Sequence, residues 1–412
     1  MSLLKKSNAS EVVYMSPNQK AVKRLLKNKA AVLGLIIICI SVLIALFAYA
    51  IVPDSTPDAN EQILEIATEK PNFTMEMLKV RKNREVKDPN IIKFLWGGRE
   101  SAHRFIPIND YRFDQDQIIV EKYTGRDRAG EPDTFNLADV VHPISLENPQ
   151  ISNTGNQLAF HNVLNEKQKF DIEQLQTEIK QNNIETKRYL LGTDKFGRDN
   201  LSRLILGVRV SLSVGLVAVL ISLLIGITAG AIAGYYRGWV DEVIMWIINV
   251  FWSIPLLLWV FALVLALGRE FWQIFLAVGL VMWVEVARIV RGQFFSIREK
   301  EFVEAAQSMG FSDFRIIFKH VLPNIVGPVI VITAANFASA IIIEAGLSFL
   351  GIGVQPPRPS WGTTLNEYYK YIGSSKSFLA ILPGIAILIL TLGFNLVGNG
   401  IRDALDVRSN AN

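Results

Sequence analysis

The chain has 412 residues, 50% of them hydrophobic and only 19% charged, with a formal net charge of +4. With a mean hydropathy of +0.29, this excludes an ordinary water-soluble domain and makes a polytopic membrane protein the expected class. Lys and Arg gather in particular loops and form no continuous basic stripe, so nucleic acid is not an expected partner. The one cysteine, Cys39, lies in an apolar run where it cannot form an internal disulfide and is expected to be a small buried hydrophobe.

The first apolar run covers residues 30–52, after a cytoplasmic segment assigned to 1–29. At about 1.5 Å per residue a helix there is about 35 Å long, enough for a hydrocarbon core of about 30 Å. Ala48-Tyr49-Ala50 resembles a cleavage site, but signal h-regions run about 7–15 residues behind short leaders, so a retained anchor is expected. Hydropathy then collapses over 53–188. Charged and turn-forming clusters such as Arg81-Lys82-Asn83-Arg84-Glu85 and Gly130-Glu131-Pro132-Asp133 mark it as a soluble insertion long enough for one small domain. Residues 116–123 read as a strand and 173–182 as a helix, so this domain is expected to mix α and β.

The remainder, 189–406, is dense in apolar runs at 211–233, 243–267, 271–286, 325–343 and 378–397, each compatible with a span. The expected fold class is therefore all-α and polytopic: six transmembrane helices plus the inserted domain, with a short tail at 407–412. Lys5, Lys6, Lys20, Lys23, Arg24, Lys27, Lys29, Arg237, Arg288, Arg291, Arg298, Lys300, Arg315, Lys319, Arg402 and Arg408 fall on one side, against Arg269, Arg358, Lys370 and Lys376 in short loops on the other. The richer side is the cytoplasmic one. Both termini and the 288–324 loop are thereby placed inside and the insertion outside. Arg198, Arg203 and Arg209 break this pattern, and an amphipathic lead-in whose charged heads snorkel to lipid phosphates accounts for them.

Within the 288–324 loop, Phe302, Val303, Ala306 and Met309 share one helical face, Gly310 is a helix stop, and Ser312 can cap a second helix. That helix carries Phe314, Ile317, Phe318 and Val321 at i, i+3, i+4 and i+7. Pro323 fits the first turn of the following span, where a missing N–H costs nothing. Such faces often pack only on their own protein, but this loop is long beside bundle connections of about 2–8 residues.

Glu304-Ala305-Ala306, Gly310 and His320-Val321-Leu322-Pro323-Asn324 resemble the EAA loop of permease subunits of bacterial ABC importers. The resemblance is strongest to the C-type subunit of the oligopeptide/dipeptide/nickel permeases. Further matches are Gly192-Thr193-Asp194-Lys195-Phe196-Gly197-Arg198-Asp199, Gly234-Tyr235-Tyr236-Arg237-Gly238-Trp239-Val240-Asp241, and Glu344-Ala345-Gly346-Leu347-Ser348-Phe349-Leu350-Gly351 with Trp361-Gly362 beyond it. The long insertion departs from the family pattern, as does Asn249 where relatives often carry Asp.

The resemblance implies a type I importer permease fold in a bacterial cell membrane. It implies a second homologous permease subunit, two cytoplasmic ATPases that bind ATP and Mg, and an extracytoplasmic peptide-binding protein. The ATPase-coupling residues would be Glu304, Ala305, Ala306, Gly310, Phe311, Ser312, Phe314, Arg315, Ile317, Phe318, His320 and Pro323. The chain itself has no Gly-x-x-x-x-Gly-Lys-[Ser/Thr] phosphate loop and no cofactor of its own is expected.

Asn249, Asn336, Glu344 and Asn395 fall in or at the ends of spans and are candidates for the pathway, interhelical hydrogen bonding being the alternative for the asparagines. His320 sits at a helix-to-span corner, where capping or partner contact outweighs proton relay. His103, His142 and His161 lack metal-ligand spacing, and no metal site is expected. A secondary carrier is the alternative function. It would show half-repeats with midplane ionisable groups, and no repeat is evident.

Overall fold

The computed structural model describes residues 17–125, 130–268 and 270–406. Lys5, Lys6, Arg269, Arg408 and the 407–412 tail lie outside the described residues, as does 1–16 of the N-terminal segment. Helix α1 (Pro17–Lys27) leads into α2 (Lys29–Ile51). Between them Asn28 caps α2, its Oδ1 accepting from the N–H groups of Ala30 and Ala31 at 3.1 and 3.2 Å. α2 packs on the last helix of the bundle, where Gly34 meets the backbone of Gly393. Its opposite face exposes Ile36, Ile40 and Leu43. Cys39 is exposed there too, which corrects its reading as a buried hydrophobe: α2 is a peripheral helix with one face turned to the surroundings.

The region that follows contains a five-stranded sheet. Its strands are β1 (Phe73–Arg81), β2 (His103–Asp114), β3 (Gln117–Lys122) and β4 (Glu131–Asn136), with helix α3 (Ile91–Gly97) between β1 and β2. After α4 (Leu137–Val141) come β5 (Ser152–Asn153), β6 (Gln157–His161) and β7 (Lys167–Asp171), then α5 (Ile172–Glu178), a π-type turn at Ile179–Asn183, and β8 (Ile184–Tyr189). The main sheet is ordered β4-β3-β2-β1-β8, and β5-β6-β7 form a second sheet. The expected strand at 116–123 and helix at 173–182 are present as β3 and α5 with its extension. Leu78, Ile106, Ile108, Ile118 and Val120 pack with α4, α5 and β6 on one face. Met77, Tyr123 and Tyr189 pack under Ile63 and Ile66 on the other. This two-faced burial follows from the two-residue period of a strand.

Because β8 pairs with β1, with Phe73 opposite Tyr189, the chain enters and leaves this region at adjacent points. The two connecting segments are laced together, Ile63 N–H to Phe196 O at 3.1 Å and Thr68 N–H to Asp194 O at 2.8 Å. Both are tied to the bundle, Asp54 N–H to Ser202 Oγ at 3.0 Å and Lys195 N–H to Tyr368 Oη at 2.8 Å.

The bundle continues with α6 (Asn200–Tyr236), α7 (Gly238–Trp252), α8 (Leu256–Leu267) and α9 (Phe271–Arg298). Short helices α10 (Glu301–Ser308) and α11 (Asp313–Arg315) precede α12 (Val326–Phe349), α13 (Trp361–Tyr368) and α14 (Phe378–Leu405). Five helices, α2, α6, α9, α12 and α14, are long and apolar enough to cross a membrane. The pair α7 and α8 is bent by 90° and makes a sixth if it counts as one span. The run over 243–267, expected as one span, is thus two helices broken at Ser253-Ile254-Pro255, because Pro255 has no N–H to extend the ladder. The carbonyls freed at the break find side-chain donors, Ser253 Oγ to Val250 O at 2.7 Å and Trp259 Nε1 to Phe251 O at 3.0 Å.

The tightest helix pair is α6 against α9. A Cβ added at Gly226, Gly230 or Gly234 would lie 2.5 Å from Val286 Cβ, 2.4 Å from Ala287 O or 2.5 Å from Phe294 Cβ. Glycines four apart form one stripe and let two backbones approach closely. Gly230→Leu is expected to cost about 1–3 kcal/mol and to lower the thermal midpoint of the detergent-solubilised protein. Gly292→Leu, where a Cβ meets nothing within 4 Å, is the control expected to leave it unchanged.

His103 gives a pH-dependent test of the sheet region. Burial, then the positive charge of Arg81 directly opposite it on β1 and of Lys79, lowers its pKa from 6.5 to about 4. The folded domain therefore keeps His103 neutral, while the unfolded chain takes up a proton below about pH 6.5. Stability present above that pH is lost as the pH falls toward 4. The midpoint of wild-type protein is expected to drop more between pH 7 and 4.5 than that of His103→Gln; equal drops would show that His103 contributes nothing.

Candidate functional site

The polar loop between α9 and α12 folds as an elbow. α10 stops just before Gly310, whose φ of +75° is a left-handed conformation that glycine adopts without steric cost. Ser312 occupies the cap position of the next helix, but its side chain makes no capping hydrogen bond. Helix α11 then widens into a π-type turn over Ile316–Val321, followed by a 3₁₀ turn, Leu322–Asn324, that contains Pro323.

The widened turn changes which residues face inward. Ile316, Ile317 and Val321 are buried with Val303, Ala306, Val290, Phe294 and Tyr235. Phe314 and Phe318 are 71% and 53% exposed, with ring centroids 4.4 Å apart. The expected single face of Phe314, Ile317, Phe318 and Val321 is therefore split, because a π turn brings residues five apart into line. The expected face on α10 is split as well: Val303 and Ala306 are buried, while Phe302 and Met309 are exposed along with Glu304 and Ala305.

Side-chain contacts stiffen the elbow. The Arg315 guanidinium lies 4.2 Å from the Phe311 ring centroid, and Phe311 stacks on His320 at 5.8 Å. His320 O accepts from Asn324 Nδ2 at 2.6 Å. The elbow is tethered to the bundle by Tyr235 at the end of α6, whose hydroxyl donates to Asp313 Oδ1 at 2.7 Å. Arg237 bonds Glu299 at 2.9 Å. Asp241 and Arg291 form a two-point ion pair, one arm of it Nη2 to Oδ2 at 2.5 Å. Asp313 was not singled out in the sequence. Its position one residue past the cap Ser312 was the available signal.

The candidate pathway residues separate into two kinds. Asn249 and Asn395 are exposed on α7 and α14. Asn336 and Glu344 are fully buried on α12. Glu344 accepts from Ser348 Oγ and Ser360 Oγ, both at 2.8 Å, and from Ser211 Oγ at 3.4 Å. These hydroxyls join α12 to α6 and to the loop before α13, so Glu344 pins that loop and does not open on it. Trp361 continues the same junction, its Nε1 donating to Leu204 O at 2.9 Å while Gly207 packs against its ring.

The Gly192–Asp199 motif is likewise a junction. Arg198 Nε lies 2.6 Å from Asp194 Oδ2, with side-chain exposures of 4% and 3%, and Arg203 Nε lies 3.6 Å from the same oxygen. Asp199 caps α6 through Ser202 N–H at 2.8 Å. Arg209 donates to Leu95 O at 3.1 Å. This overturns the expectation that Arg198, Arg203 and Arg209 snorkel to lipid phosphates: the neighbouring Asp194 pairs with the first two, and Asn60, Asp58 and Leu95, from the segment that folds over the start of α6, accept from Arg198, Arg203 and Arg209 in turn. No group of three or more His, Cys, Asp or Glu suited to a metal ion occurs among the described residues.

Residues 226–410 match the family model described as the binding-protein-dependent transport system inner membrane component. Residues 16–71 match the N-terminal TM domain of oligopeptide transport permease C. The dipeptide transport system permease protein DppC of Alkalihalophilus pseudofirmus is 42% identical over 215 residues, 52% of this chain and 70% of the relative. This chain belongs to the binding-protein-dependent transport permeases. The glutathione transport system permease protein GsiD of Pectobacterium atrosepticum is 39% identical over 216 residues, 52% of this chain and 71% of the relative. Among solved structures, one of the MetNI methionine ABC transporter in an inward-facing conformation shares 20% identity at a TM-score of 0.41, covering 50% of this chain and 97% of the other. Members of this permease family are membrane-embedded, non-catalytic subunits of ABC transporters, and the apolar helices of this chain agree with a multi-pass membrane location.

Tyr235→Phe deletes only the hydroxyl that holds Asp313. A loss of about 1 kcal/mol locally is expected to speed hydrogen exchange of the amides at 311–321 roughly fivefold, with exchange in the sheet region unchanged.

Proposed function

We propose that this chain forms half of the translocation pathway of an ATP-driven peptide importer and receives the motion of partner ATPases through its elbow. The observation that carries the reading is the exposed Phe314 and Phe318 pair on an elbow whose other side is packed into the bundle. Exposed aromatic rings on a stiff, polar-flanked segment suit a partner's groove. Burying both there contributes roughly 1.5–3 kcal/mol each before association costs. Ile317, counted for this role from the sequence, is already buried and belongs to the lever's inner side.

Peptide as the substrate class is supported by the dipeptide and glutathione transport permeases that the chain resembles. Six crossings are supported by the geometry of the ends. α6 finishes at the elbow, beside Asp313, whereas α9 begins near Tyr49 and Asp58 of the sheet end, so the bent α7–α8 pair has to carry the chain across. With the elbow and both termini cytoplasmic, the sheet region of 53–188 stands outside, beside the pathway mouth. The partners are a second permease subunit, two ATPases that hold ATP and Mg, and an extracytoplasmic binding protein.

The double variant Phe314→Ala/Phe318→Ala is expected to reduce peptide-stimulated ATP hydrolysis by the assembled transporter at least about tenfold with membrane insertion unaltered. Photo-crosslinks from position 314 should reach an ATPase. Crosslinks confined to this chain, or unchanged stimulated hydrolysis, would refute the coupling role.

A further inference from the structure

At the sheet end, a recess of about 480 Å³ opens between α3, the end of α2, the first turns of α6 and α9, and the loop after α12. That volume is in the range of pockets that take small organic ligands. Its walls include the rings of Tyr49, Trp96 and Phe271, and beside Ser213 its polar side chains include the charged Asp58, Arg209 and Arg358. Arg209 lies 5.2 Å from the ring centroid of Tyr49 and 5.3 Å from that of Trp96, and Arg358 lies 4.3 Å from that of Phe271.

Stacking on a ring face leaves the edge N–H donors of a guanidinium free for a carboxylate. Arg209 spends one on Leu95 O. Arg358 is exposed and forms no ion pair among the described residues. Asp58 also lines the recess, and its main-chain O accepts from Arg203 Nη1 at 3.3 Å. Burial pushes the Asp58 carboxyl upward and Arg358, the largest opposing influence, draws it down, so an added cation there favours its charged form.

We infer that this recess is a reception site for a small zwitterion with an apolar side chain, its carboxylate on Arg358, its ammonium on Asp58 and its side chain against Trp96 and Phe271. Resting on the peptide reading above, this identifies the ligand as a short peptide with free termini. It also gives the sheet region a role, since Trp96 and Asp58 both come from the segment inserted between the first two spans.

The test uses the assembled transporter in nanodiscs without its binding protein, with equilibrium binding of Ala-Phe, Ala-Phe amide and N-acetyl-Ala-Phe. Wild type is expected to bind Ala-Phe about tenfold more tightly than either blocked form, the scale of one charge-assisted hydrogen bond. Arg358→Gln should erase the preference over the amide, and Asp58→Asn the preference over the acetylated form. Asparagine tolerates the left-handed backbone of position 58, where φ is +59°, and Arg358 is exposed, so neither change threatens the fold. No measurable Ala-Phe binding, equal binding of all three compounds by wild type, or an intact preference in Arg358→Gln would overturn the site. Uptake of Ala-Phe with the binding protein present is read separately. Preference without uptake leaves the site standing and removes the peptide reading; uptake without preference does the reverse.

Discussion

The two ends of this molecule are held in one frame by the seam between α6 and α9. At the sheet end α6 is capped by Asp199 and clasped by the Asp194, Arg198 and Arg203 network; at the other its Tyr235 holds the elbow. In lipid no hydrophobic force draws helices together, so their association depends on close packing. The glycine stripe supplies that packing, with the backbone of α9 filling the space that side chains would otherwise take. A displacement of the elbow therefore acts on α9 directly and on α6 through a contact with little slack.

The charged groups of the bundle show a common solution to the cost of polarity in an apolar setting. Glu344 forms no ion pair among the described residues and is satisfied by three serine hydroxyls from α12, α6 and the loop before α13. Asp241 and Arg291 satisfy each other at two points. Arg198 and Arg203 share Asp194. The first two arrangements join elements far apart in the chain and the third fastens the segment before α6 to that helix's first turn, so the groups most expensive to bury also help specify which elements meet.

The sheet region is bound to the bundle by its connecting segments and by α3, whose Phe94 packs against α2 and α6 and whose Leu95 O accepts from Arg209. Adjacent β1 and β8 bring its ends together, which keeps a long insertion compatible with the helices on either side. The segment at 54–69 does double duty: Ile63 and Ile66 cover one face of the sheet, and Asp54 and Thr68 hydrogen-bond α6 and the loop before α14.

Class, the approximate positions of the long apolar helices, a mixed α and β region after the first of them and the elbow were legible in the sequence, because each rests on local quantities: length of apolar runs, the fall in hydropathy between them, helix punctuation at Gly310 and Pro323. The strand at 116–123 and the helix at 173–182 were legible for the same reason. Tertiary structure alone decided the rest. It broke the apolar run of 243–267 at Pro255, split the aromatic face of the elbow through a π turn that no residue pattern announces, and turned Arg198, Arg203 and Arg209 inward, onto Asp194 and onto a distant segment folded over the start of α6. It also showed the glycines of α6 to be a packing surface and Glu344 to be a buried junction. Residue spacing states which side chains share a face; what that face meets depends on contacts between parts of the chain more than a hundred residues apart, such as Asp54 with Ser202 and Ser211 with Glu344, and these exist only once the chain has folded.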